Sequence, residues 1–150
     1  MRSSAKSYLN AAFERLEDAL LLHNEGHYVL SMYSFGLAVE CILRAFLLLR
    51  NSQFEARHNL WELWKKTPLS DVHRESSYER IHKLLSIIVV RWKNSYRFAS
   101  MEEVQSLLWR SGQQRGVKGD VVKFNCKVLY EAAREFVQLG GLRWSKLNIK

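Results

Sequence analysis

Glu40 is the polar residue whose setting constrains its chemistry most. It stands within Phe35-Gly36-Leu37-Ala38-Val39-Glu40-Cys41-Ile42-Leu43, where a carboxylate is partly desolvated and has to be paired. Arg44, one helical turn on, is the local partner, and Arg91 or Arg97 would be a long-range one. An ion pair that fixes helix register explains such a carboxylate more simply than catalysis does. A second cluster is Arg91-Trp92-Lys93-Asn94-Ser95-Tyr96-Arg97-Phe98, with three cations, an amide and three aromatic rings in eight residues. Those groups suit phosphate binding and base stacking. They suit equally well a helix end whose arginines pair with carboxylates or bind the last carbonyls.

Other reactive side chains point to structure. His23 and His27 are four apart, but Gly26 between them breaks the helix that would align them. They read as exposed helix-end histidines and not as a metal pair. Cys41 and Cys126 are too few for a disulfide framework or a zinc cluster and read as core thiols in a reducing compartment. No phosphate-binding glycine loop, paired-cysteine motif or histidine pair flanking a glutamate is present, so no cofactor or metal is expected.

The net charge of +8 is uneven. Residues 110–150 hold nine lysines and arginines against three acids, the footprint of a polyanion partner or of a solvated basic face. Arg115, Lys118, Lys123 and Lys127 are the candidate phosphate contacts. Lys123 and Lys127, four apart, fall on one helix face.

Positioning these groups requires helices. The 150 residues, 47% hydrophobic and 25% charged, make one domain with an ordinary globular balance. One proline and seven glycines are too few turn residues for an all-β protein. Leu9, Ala12, Phe13, Leu16, Ala19 and Leu20 step by three and four and predict an amphipathic helix near 4–23, capped by Ser3 or Ser4 and stopped at Gly26. A helix over 28–49 is apolar on most faces and predicts the centre of a bundle, with Gly36 admitting a close neighbour. A polar connector over 51–58 leads to a short helix, 59–66, that stops before Pro68.

After a loop over 69–76, Ile81, Leu84, Leu85, Ile88, Val89 and Trp92 predict a long helix over 77–96. Ser100 and Glu103 form a capping box opening a helix to about Arg110. A basic glycine-rich loop, 112–119, precedes a last helix, 121–139, capped by Asp120 and ended by Gly140-Gly141. A basic tail from about 142 follows. The sum is a single all-α domain over 1–150, an antiparallel four-helix up-down bundle with one or two short extra helices. No stretch reaches the ~18 apolar residues of a membrane span. The opening residues lack a signal-peptide core, because Glu14, Glu17 and Asp18 come too soon. A cytoplasmic protein with no membrane partner is expected.

The order of these pieces carries a resemblance. Tyr8, Ala12 and Ala19 precede Tyr28-x4-Tyr33-x2-Gly36-x3-Glu40-x3-Arg44-Ala45, then His58-Asn59-Leu60-x2-Leu63, an arginine–aromatic cluster and a last amphipathic helix. Over roughly residues 5–140 this resembles the HEPN domain family. The resemblance implies a small α-helical bundle, usually a homodimer with a polar cleft across the dimer, found alone or beside a nucleotidyltransferase. Many members are metal-independent ribonucleases of toxin–antitoxin, phage-defence or CRISPR systems, using an arginine and a histidine with four to six residues between them.

Here the matching stretch is Arg91-x4-Tyr96-x-Phe98, with tyrosine in the histidine's place. Histidine exchanges protons near neutral pH, whereas tyrosine, near pKa ~10, does so poorly. The leading expectation is therefore a non-catalytic HEPN-like domain that binds nucleic acid, nucleotide or a partner protein through Arg91, Lys93, Asn94, Arg97 and the basic C-terminal third. The alternative is a ribonuclease with Arg91 and Arg97 as phosphate clamps and Tyr96 or His58 in proton transfer. A third reading is a protein-binding module anchored by Trp61, Trp64, Trp92 and Trp109.

Overall fold

The computed structural model describes residues 4–50, 57–71 and 76–147. Parts of the expected connector (51–56), loop (72–75) and tail (148–150), and Ser3 as a cap, lie outside the described residues. Six α-helices and two 3₁₀ turns form the described residues, which contain no strand.

The first helix, α1, spans Ala5–Asn24 and is capped by Ser4, whose side chain accepts the Ser7 N–H. Gly26, at φ +83°, turns the chain into α2, Tyr28–Leu49. The two helices pack as a hairpin, with Ala12 and Ala19 fully buried where α1 meets α2. As its sequence suggests, α2 is the central element and is buried on most faces. It also corrects one expectation: by length and mean hydropathy, 1.7, α2 reaches the range of a membrane span. Its apolar surface instead meets protein, since 67% of that segment is buried within the domain.

A short α3, Leu60–Lys66, is capped by Asn59, and the chain turns through a 3₁₀ segment at Pro68–Asp71. Helix α4 runs Ser76–Arg91 and stops five residues earlier than its periodicity predicts. The reason is tertiary. Trp92 leaves the helix and lays its indole on Gly36, donating Nε1–H to the Tyr33 carbonyl at 3.2 Å. Lys93 is extended, and the chain continues as a 3₁₀ turn, Asn94–Phe98. Helix α5, Met101–Arg110, opens with the expected Ser100 cap.

The last helix, α6, runs Val121–Ser145, straight through Gly140 and Gly141. Those glycines make room rather than ending the helix. A Cβ on Gly140 would lie 2.9 Å from Ile42 Cδ1, and one on Gly141 2.7 Å from Phe13 Cζ. The basic tail therefore begins as helix. Packing pairs fix the directions. Met32 meets Asn125 and Phe46 meets Trp144, so α2 and α6 run parallel. Arg91 meets Asn125 and Arg80 meets Glu135, so α4 and α6 are antiparallel. The core lies between α1, α2, α4 and α6 and includes Phe35, Ile42, Phe46, Leu85, Ile88, Leu129 and Phe136. Trp64 and Trp92 belong to it, which removes both as interface anchors; Trp61 packs on His82 and only Trp109 is mainly exposed.

Candidate functional site

Glu40 lies on the face of α2 that meets the start of α3 and is only 4% exposed. Arg44 Nη2 reaches its Oε1 at 3.3 Å, as the one-turn spacing predicts. The second partner is His58, whose Nδ1 sits 2.8 Å from the same oxygen. Arg44 Nη2 also donates to the Arg57 carbonyl. Arg57 takes φ 53°, a left-handed conformation uncommon for a side-chain-bearing residue and found where surroundings impose it. The buried carboxylate, directly and through Arg44, thus fixes the segment that carries His58.

Glu40, Arg44, His58, Arg57 and Arg15 line one cleft of about 770 Å³, with Tyr8, Leu37 and Cys41. Arg97 completes its wall from the 3₁₀ turn after α4. Arg15 is held by Asp18 at 3.0 Å, whereas Arg97 has no carboxylate partner among the described residues. The Arg97 guanidinium lies 4.5 Å from the centroid of Phe98, a ring that is 79% exposed. The arrangement suits an anion: one buried carboxylate, already paired, faces five basic side chains. Burial pushes the Cys41 thiol up to about 11, so it adds no charge at neutral pH.

The cluster over 91–98 does not act as one site. Arg91 turns away from Glu40 toward α6, donating from Nη1 to Asn125 Oδ1 at 2.9 Å, with Phe124 under its guanidinium at 5.9 Å. The long-range Arg91–Glu40 pair is not formed. Asn125 answers by donating to the Arg91 carbonyl at 3.2 Å. Tyr96 is 3% exposed, and burial pushes its hydroxyl up to about 12 despite the opposing charge of Arg91. It is a core residue, unsuited to proton transfer at neutral pH. Lys93 and Asn94 line a separate groove with His58 and Trp61.

The basic C-terminal third gives a second cationic surface. Lys118, Lys123 and Lys127 are exposed and share a cleft with His23, while Arg115 is exposed on the preceding loop. Another cleft, about 580 Å³, lies between the 3₁₀ turn and α5, but Glu102 and Glu103 line it and disfavour an anion there. Among the described residues, no group of three or more histidines, cysteines or acids is placed to hold a metal.

The helix order, the Glu40–Arg44 pair and the His58-Asn59-Leu60 start of α3 all fall within residues 5–110, and over that range the chain matches the family model described as HEPN domain. The chain belongs to the HEPN domain family. No curated protein and no solved structure matches it. The match to this HEPN domain ends with α5, so α6 and its lysines lie beyond it, short of residue 140 where the sequence resemblance extends.

Two features of the HEPN domain's clefts were outside the reach of sequence reasoning. His58 joins Glu40 from eighteen positions away, and nothing in its local spacing marks that contact. His23 reaches Cys126 across 103 positions. It is half-buried rather than the exposed helix-end residue expected.

Proposed function

We propose that this HEPN domain is a cytoplasmic, non-catalytic binding domain for single-stranded RNA, gripping phosphate in the cleft formed by Glu40, Arg44, His58 and Arg97. The observation that carries the reading is the buried Glu40 holding Arg44 and His58 on the same wall that Arg97 completes. Guanidinium groups bind phosphate with paired donors, and a carboxylate behind them sets their direction before the ligand arrives. Phe98, beside Arg97, offers a ring for an unpaired base.

In this reading α1, α2, α4 and α6 act as an up-down bundle that works as a homodimer, with the RNA-binding cleft accessible to a partner such as a nucleotidyltransferase. A toxin–antitoxin or defence role fits such a pairing.

One observation favours a second reading. His58 is 39% exposed by its side chain and hydrogen-bonded to a carboxylate on an arginine-lined cleft, an arrangement able to move a proton during metal-independent RNA cleavage. Tyr96 has no part in it, and Arg97 replaces Arg91 as the phosphate clamp. A gel assay with labelled single-stranded RNA and a chelator separates the two. A shifted, intact band supports the binding domain. Cleavage abolished by His58→Ala supports the ribonuclease. An unshifted, intact RNA contradicts both.

A further inference from the structure

His23 ends α1 with its ring between Tyr28 of α2 and Tyr130 of α6, at centroid distances of 5.4 and 6.4 Å. Behind the ring, a chain of hydrogen bonds runs into the core. Ser31 donates its hydroxyl proton to the Ala19 carbonyl at 2.6 Å. Cys126 donates its thiol proton to Ser31 Oγ at 3.3 Å. His23 Nδ1 lies 3.2 Å from Cys126 Sγ.

The carbonyl can only accept, so it sets the direction of the whole chain. Ser31 gives its proton to Ala19 and Cys126 gives its proton to Ser31. Nδ1 must therefore carry the proton that reaches Sγ. Burial pushes the Cys126 thiol up to about 11, which keeps this order at neutral pH. Neutral His23 is thus the Nδ1–H tautomer, and Nε2 is its basic nitrogen.

The same ring lines a cleft of about 400 Å³ with Lys118, Asp120, Lys123, Phe124 and Lys127. Asp120 is occupied as the cap of α6, accepting the Lys123 N–H at 3.0 Å. The three lysines are exposed and converge with an imidazole held rigid from behind. We infer that this cleft is a second phosphate-binding site, distinct from the Arg97 cleft, in which Lys118, Lys123 and Lys127 supply charge and His23 supplies a positioned donor. Free phosphate, a nucleotide and a nucleic-acid backbone all present the chemistry it takes.

Binding there takes up a proton. Burial first, then Lys123 and Lys127, hold the His23 pKa below its ordinary 6.5. The other groups around it are the neutral rings of Tyr28 and Tyr130, the Cys126 thiol, and Lys118 and Asp120 across the cleft. A phosphate offsets the field of the lysines and accepts from Nε2–H, so the bound imidazole gains its proton more readily.

Histidine ring resonances followed against pH test this in the full chain, alone, with inorganic phosphate and with oligouridylate, His23→Gln identifying the signal. The expected result is a rise in the His23 midpoint with ligand, while His82 on α4 stays in place. Each unit of rise means about tenfold tighter binding in acid. In a Lys123→Ala/Lys127→Ala variant the midpoint starts higher and no longer responds. A rise with phosphate alone identifies a small-ligand site, and a rise with oligouridylate identifies the backbone as its source.

A His23 midpoint unmoved by both ligands, or moved together with His82, overturns the site. RNA that binds through Arg97 without moving His23 overturns this inference alone. Phosphate that moves His23 in a protein that binds no RNA sustains it and overturns only the Arg97 reading. The surface lysine variant carries the test even where His23→Gln fails to fold.

Discussion

His58 Nδ1 lies 2.8 Å from Glu40 Oε1, and the same oxygen takes Arg44 at 3.3 Å. One buried carboxylate therefore orients two basic side chains from two different elements. Removing it takes away the carboxylate that both side chains bond to, and leaves Arg44 its contact with the Arg57 carbonyl. Glu40→Ala is expected to cost about 1.5–3 kcal/mol, the range for a hydrogen-bonded charged group. At ~2–4 °C per kcal/mol for a chain this size, thermal melting followed by circular dichroism should show a clear fall. His58→Ala, with its half-exposed ring, should melt close to the wild type.

Gly36 tests how α4 ends. A Cβ built there would fall within the Trp92 indole, so Gly36→Ala has to expel that ring from its pocket. Overpacking of this kind costs about 1–3 kcal/mol or more. Trp92 should become more exposed to water, which a red shift in tryptophan emission would register. A variant as stable as the wild type, with unchanged emission, would contradict the docking of Trp92 on α2.

A double-mutant cycle separates the two partners considered for Arg91. Arg91→Ala with Asn125→Ala should show a coupling of about 1.5–3 kcal/mol, the worth of one hydrogen bond from a charged group. Arg91→Ala with Glu40→Gln should be additive within about 0.5 kcal/mol. Coupling to Glu40 in place of Asn125 would contradict the geometry.

How much of this was legible in the sequence depended on distance along the chain. The helices with local signals begin where their patterns place them: Ser4, Ser100 and Asp120 cap as their types suggest, while Asn59, read as the first residue of the short helix, is its cap. Arg44 as the partner of Glu40 was legible because it sits one turn away. The end of α4 was not, since its apolar period continues through Trp92 while the indole is drawn to a glycine 56 positions earlier. Gly140-Gly141 misled for the same reason. Glycine is a good helix stop when local conformation decides, but here close packing on Ile42 and Phe13 decides. Arg91 with Asn125, His58 with Glu40 and His23 with Cys126 are all contacts that only the folded chain creates.

Acid should weaken the ligand-free domain through His23. Its folded pKa lies below 6.5, so the unfolded chain binds this proton more readily and stability rises with pH. The stabilising contribution is complete above about pH 6.5 and fades as pH falls toward the lowered folded value. Melting curves of the wild type and His23→Gln should diverge at neutral pH and converge in acid. A gap that widens in acid would mean the proton binds the folded state better.

If Arg97 holds phosphate in the cleft organised by Glu40, removing its guanidinium has to change the salt dependence of RNA binding. Arg97 is exposed and bonded to no carboxylate among the described residues, so Arg97→Ala leaves the fold intact. For wild type and variant, the affinity for single-stranded oligouridylate is measured across a series of salt concentrations. Each phosphate contact contributes about −0.7 to the logarithmic slope on single strands. Arg97→Ala should bind more weakly, with a slope shallower by about one such contact. Equal affinity and equal slope in the two proteins would contradict it.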